Sequence, residues 1–150
     1  MFDAIRKMMS GGEKPQAHLE LDPHVAASAL LVEAALSDGI YADVEAVQIR
    51  AILISAFNLA EDAADAMLVQ AEELAENAVD HHQFTKVVKA CLPATERVAL
   101  VEHLWTVALA DGEKSPFEDS FIRRVAPLLA VDDRERVLAR ARAEAAARQS

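Results

Sequence analysis

From about residue 20 onward the apolar positions recur at helical spacing, and β-branched runs are too short for strand alternation to compete. Asp22-Pro23 is an N-cap followed by a first-turn proline, and residues 25–36 are apolar except for Ser28 and Glu33, which predicts a central, buried helix. Asp38-Gly39 ends it. A second helix over about 43–57 carries Val44, Val47, Ile52 and Ile54, and Asn58 is placed as a left-handed stop. The third, about 60–77, puts Ala60, Ala64, Met67, Leu68, Ala71, Leu74 and Ala75 on one side and its acids elsewhere. Asp80 then caps a short helix whose stripe is Phe84, Val87, Val88 and Cys91, with Gln83 completing a capping box and Cys91 read as core. Pro93 opens a helix through Leu104 and Trp105 to Asp111-Gly112. Stretches 116–129 and 133–147 follow, the latter expected to pack through Val137, Leu138 and its alanines. The first ten residues form an amphipathic turn or two with Phe2, Ile5 and Met9 on one side, and residues 11–15 a linker. The organisation is an arm and linker over 1–19 and one all-α domain over 20–150, a bundle of about seven to eight helices.

A local repeat runs through the chain at an offset of 73. It matches Ala35 with Ala108, Leu36 with Leu109, Asp38 with Asp111, Gly39 with Gly112, Glu45 with Glu118, Ile49 with Ile122 and Arg50 with Arg123. Both copies read as apolar helix, Asp-Gly corner, then a helix with Glu near its start, so the fold is expected to contain a duplicated helix-(Asp-Gly loop)-helix hairpin. A carboxylate at a helix C-terminus faces unsatisfied carbonyls and the negative dipole end, and is misplaced by roughly 0.3–1 kcal/mol. A hard cation would compensate, with Glu45 and Glu118 returning across the turns as further oxygen ligands. Asp-Gly-x5-Glu reproduces the fifth, sixth and twelfth places of an EF-hand loop, but the first and third places hold Ala34 and Leu36, then Val107 and Leu109, so these are not EF-hands. The plainer reading is capping. Ser115-Pro116-Phe117-Glu118 forms a capping box, whereas Ala42 gives Glu45 no hydroxyl to reciprocate.

Composition narrows the function. Twenty-five acids against fifteen bases give a net charge of -10, which argues against nucleic acid as a partner. Residues 1–75 hold 13 acids and 4 bases, and no Lys or Arg lies between Arg50 and Lys86, leaving an acidic face around residues 62–76 that suits a basic protein partner or plain solubility. One cysteine excludes an internal disulfide, and the first ten residues, with Asp3, Arg6 and Lys7, read neither as a leader nor as a membrane span, so a soluble, cytoplasmic protein is expected. Phosphate-binding loops and Gly-x-Ser-x-Gly are missing, and only four glycines are present. Cys91 as part of an apolar stripe is an inert thiol, so a non-enzymatic role is expected, a two-metal hydrolase being the remaining enzymatic option. Glu33 and Glu102 each sit in an apolar helix, where a carboxylate needs water, an ion pair or a metal. His81-His82 lacks metal-ligand spacing and reads as a cap-adjacent surface pair.

Residues 31–39 (LVEAALSDG), Asp80 with Phe84, Arg97, and residues 104–112 (LWTVALADG) through Glu118 to residues 122–125 (IRRV) together resemble the TerB-like family, named for a bacterial tellurite-resistance protein. The resemblance covers about residues 25–138. It implies an all-helical fold with a metal-binding site of acidic residues, carried onto Asp38, Glu45, Asp111 and Glu118. Oxygen-only ligands select hard ions, calcium or magnesium first. The expected function is a non-enzymatic cation-binding module linked to tellurite or other stress; the alternative is an acidic protein-interaction scaffold without metal.

Overall fold

The side chain of Asp22 starts the first helix, accepting from the backbone N–H groups of His24 (2.7 Å) and Val25 (3.4 Å) ahead of a fixed-φ proline. In the computed structural model, which describes residues 21–110 and 116–149, this helix is α1 (Pro23–Leu36). It is followed by α2 (Asp43–Ala56), α3 (Glu61–Asn77), α4 (His82–Cys91), α5 (Ala94–Ala108), α6 (Pro116–Leu128) and α7 (Asp133–Arg148), with no strand among the described residues. The expected amphipathic turn at residues 1–10, and Asp111, Gly112 and Ser115 of the second corner, lie outside the described residues. No helix among the described residues is long and apolar enough to cross a membrane.

Ten of the fourteen residues of α1 are buried, on every side of the helix, and α2, α3, α4, α5 and α6 all pack against it. The lone hydroxyl in that run, Ser28, donates to the carbonyl of His24 one turn back (2.7 Å) and so enters the core satisfied. Around α1 the core is built from Ile49 and Leu53 of α2, Ala64 and Ala71 of α3, Phe84 and Val88 of α4, Val101 and Leu104 of α5, and Ile122 and Val125 of α6. Asn58 ends α2 with φ 57°, the left-handed stop its sequence asks for.

Two expectations fail. Cys91 is exposed, because α4 ends there and the chain turns so that Leu92 takes the inward place that continued periodicity would have given the thiol. On α7, Val137 (53%) and Leu138 (40%) face outward; the buried positions are Ala139 and Ala143, whose small side chains let α7 approach α5 closely. That contact is completed by Arg140, whose guanidinium lies over the buried Trp105 ring (4.6 Å), and by Arg142, which donates to Glu102 (2.7 Å). Glu102 is thus an ion-paired residue of the α5–α7 contact.

Arg97 holds two helix ends at once. Its Nε donates to the Leu92 carbonyl (3.1 Å) and its Nη1 to the Leu129 carbonyl (2.8 Å), tying the end of α4 and the end of α6 to the first turn of α5. A guanidinium fork suits this task, since a cation near helix C-terminal carbonyls is also favoured by their dipoles. Arg97→Ala is expected to lower unfolding stability by about 1–3 kcal/mol in urea denaturation, and Arg97→Lys to recover only part of it, because one ammonium cannot fork to both carbonyls.

Candidate functional site

The first Asp-Gly corner is closed by backbone hydrogen bonds. Ser37 Oγ donates to the Ala34 carbonyl (2.7 Å), Gly39 N–H to Leu36 (2.8 Å), and Gly39 sits at φ 86°, where a side chain would be strained. Asp38 accepts the N–H of Ile40 at 3.0 Å, an Asx turn that gives its carboxylate a local partner. Glu45, the third residue of α2, is buried and reaches back to the N–H of Ala42 at 2.9 Å. Half of a capping box therefore forms although Ala42 has no hydroxyl to reciprocate, so capping accounts for Glu45 more fully than the sequence suggests.

Around this corner the charge is of one sign. Tyr41 donates its hydroxyl to Glu72 of α3 (2.6 Å). Its phenol is held well above the ordinary value, first by burial, then by that hydrogen bond, then by the charges of Glu72, Glu45 and Glu76. At the second corner Glu118 is likewise third in its helix and likewise buried, the same placement as Glu45. Its carboxylate there is favoured by the positive end of α6. Of the four expected ligands, Asp38, Glu45 and Glu118 are placed; Asp111 lies outside the described residues. Among the described residues no three His, Cys, Asp or Glu side chains are grouped so as to hold a metal ion.

A different acid pair carries the greater electrostatic stress. Glu33, on α1, keeps one oxygen buried with no hydrogen-bond partner among the described residues. Its carboxyl is raised to about 7, chiefly by burial and further by the charge of Asp80 just before α4. Asp80 itself is held below the usual carboxylate range, mainly by the backbone N–H of His82 (2.7 Å), with His82 Nδ1 also within 3.3 Å. The N-cap of α4 is His81, one residue later than expected, so Asp80 accepts the N–H of the first helical residue from outside the cap, and Gln83 donates to the Asp80 carbonyl (3.4 Å) without completing a box.

The histidines next to this pair join α4 to α6. His81 stacks on His82 (4.9 Å) and meets Phe121 of α6 edge-on (5.6 Å), with Arg124 over the other side of that junction, 5.9 Å from the Phe121 ring centre. Burial, then the neighbouring His82 and Arg124 charges, push the His81 pKa down; the ring is half-buried at the N-cap of α4, and His82 is exposed. Phe121 lies one turn beyond Glu118 on α6. Glu33 lies on α1, Asp80 just before α4 and Glu118 on α6, and these three helices pack on one another. The sequence marks Glu33 as a misfit in an apolar helix; it gives no sign that Asp80 is the neighbour that stresses it.

The raised Glu33 carboxyl has a defined linkage. Between about pH 4.5 and 7 the folded protein holds a proton that the unfolded chain has released, so this contribution is full below 4.5, declines as pH rises, and is lost above about 7. Urea denaturation between pH 5 and 8 is expected to show stability falling with pH, and Glu33→Gln to flatten that slope. The variant should exceed the wild type at pH 8 by about 1–2 kcal/mol, a figure reduced from the full shift because the side chain is partly solvated.

Residues 24–141 match the model of the family described as Tellurite resistance protein TerB. No curated protein and no solved structure matches the chain.

Proposed function

We propose, for a chain that belongs to the TerB family, that it is a non-enzymatic helical module which binds a divalent cation at the junction of α1, α4 and α6. The observation that carries this reading is Glu33: a buried carboxylate oxygen without a hydrogen-bond partner among the described residues, its pKa lifted to about 7 chiefly by burial and further by the charge of Asp80. A cation removes both the repulsion and the unmet acceptor. We assign Glu33 and Asp80 to it, with further oxygens from Asp111, on the corner that precedes α6 and outside the described residues. Asp38 and Glu45 each already use an oxygen to close the first corner, and we assign them chiefly to that structure. All these donors are carboxylate oxygens, which favours calcium or magnesium over softer metals. The bound ion would lock the three helices at the junction, and in the stress setting that the family's description names, tellurite resistance, ion occupancy would become the signal or the buffer.

A second reading, an acidic interaction scaffold without metal, is favoured by the backbone bonds of Asp38 and Glu45 and by the exposed acids of α3, Glu61, Asp62, Glu73 and Glu76. Thermal unfolding of chelator-treated protein with calcium, magnesium, manganese or zinc added singly separates the two. An ion at 100-fold above its dissociation constant stabilises by about 2.7 kcal/mol, roughly 5–11 °C for a chain of this size. The cation reading expects a selective rise that is lost in Asp111→Asn and Glu33→Gln and kept in Asp38→Asn. It also expects apparent affinity to fall between pH 8 and 6, as the ion competes with the Glu33 proton. If no ion moves the midpoint at any pH, the scaffold reading takes its place.

A further inference from the structure

The outward face of α4 is basic in a molecule whose net charge is -10. With Phe84, Thr85, Val87 and Val88 buried, the helix turns His82, Lys86 and Lys89 outward at i, i+4 and i+7, and it carries no acid. The row continues onto α6. His82 stacks on His81 (4.9 Å), His81 meets the Phe121 ring edge-on (5.6 Å), and the guanidinium of exposed Arg124 lies 5.9 Å from the centre of that ring. Arg50, Arg123, Arg140 and Arg142 each hold a carboxylate. Lys86, Lys89 and Arg124 hold none among the described residues, although the chain has 25 acids to 15 bases; Arg124 donates to the Ser120 hydroxyl instead (3.1 Å). The acids close to the row in sequence face other partners. Asp80 is turned to the backbone and ring of His82, and Asp119 is held by Arg123 (3.2 Å) and Arg140 (3.6 Å). A single solvated lysine is ordinary, but cations in line without an interleaved acid leave a local positive field that the fold itself does not use.

We infer that this row is a docking surface for an acidic segment of a partner protein, laid along α4 towards Arg124. Charge complementarity selects the sign, and the spacing suits an extended chain. Side chains three or four apart on a helix stand roughly 5–6 Å from one another, and alternate side chains of an extended segment roughly 7 Å, a mismatch that flexible lysine stems absorb. The ten residues of α4 make a row about 15 Å long, which about five extended residues cover. The shape of the field chooses among anionic partners. A flat anionic membrane or a second copy of the chain must approach with its whole surface and meet the excess acids of this one, whereas a narrow segment meets the row alone, within roughly one Debye length of about 8 Å. The surface needs no bound ion, so it stands apart from the cation proposed above.

Fluorescence anisotropy of a labelled poly-glutamate peptide of about 12 residues, titrated with the full-length chain, tests this. Chelator is present throughout, so failure of the cation reading leaves the outcome unchanged. Saturable binding is expected at about 50 mM salt, weakening at about 300 mM as the row is screened. Lys86→Glu/Lys89→Glu, at exposed sites, is expected to weaken it about tenfold or more with an unchanged thermal midpoint, and Lys86→Arg/Lys89→Arg to retain it. Arg134→Glu/Arg148→Glu, exposed on α7 and of the same net charge as the lysine reversal, should bind as the wild type does. Absence of binding to the wild type would overturn the inference, as would equal losses in the two reversed variants, which would reduce the effect to overall charge. So would a dimer mass in light scattering that is lost in the lysine reversal, which would give the row to a second copy. Binding of phosphatidylserine vesicles but not of the peptide would give it to a membrane surface.

Discussion

Everything in this domain is arranged around a helix that has no outside. With ten of its fourteen residues buried, α1 can exist only if other helices cover all its sides, and five of the six others do. Its sequence of alanines and branched aliphatics makes that geometry workable, since small residues admit close neighbours and the aliphatic ones fill the gaps between them. The same burial turns each polar group on α1 into a problem to be met locally. Ser28 meets it with a bond to the preceding turn. Glu33 does not, because a carboxylate has no proton to donate to a helix carbonyl and its nearest charged neighbour is another acid. The functional reading of the protein therefore begins at the one place where its central element is not internally satisfied.

Most of the fold was legible because local chemistry and long-range packing ask for the same thing. Asp22-Pro23 and Asn58 start and stop a helix by a side chain or backbone preference that acts within three residues, and the structure uses them in that way. The misreadings have one cause: periodicity names a face without saying what will cover it. Cys91 continues the stripe of α4, but the helix ends at that residue. Val137 and Leu138 are the larger apolar residues of α7, but α5 approaches along the alanines. Ala130 takes φ 60°, with the backbone N–H of Val131 bonded to Ala126, and nothing in an alanine announces a left-handed turn.

The candidate site divides along the same line. Asp38, Glu45 and Glu118 were legible as residues, since acids beside helix ends follow from sequence alone. Their company was not, because which acids meet depends on how α1, α4 and α6 cross. The matched positions Glu45 and Glu118 share both burial and rank in their helices, and Ile49 and Ile122 share burial. The settings then diverge. Glu45 faces Tyr41 and the acids of α3, while the start of α6 lies by the histidine pair and Asp80. The second neighbourhood contains a carboxyl displaced from its ordinary ionisation, Glu33, which is why we propose the cation there.

The distribution of bases sharpens that asymmetry. In the second half of the chain the arginines are internal fasteners: Arg97 joins three helix ends, Arg140 covers Trp105 and reaches Asp119, Arg142 holds Glu102, and Arg123 pairs along its own helix. From residue 21 to 75 the chain has a single base, Arg50, and it is shared between two acids of α3. Much of the negative charge there faces water and salt, and a fold under such self-repulsion gains from positive charge brought to it. The proposed ion at Glu33 and Asp80 would answer that need at a half-buried carboxyl held beside an exposed one, where the ion can reach both from water.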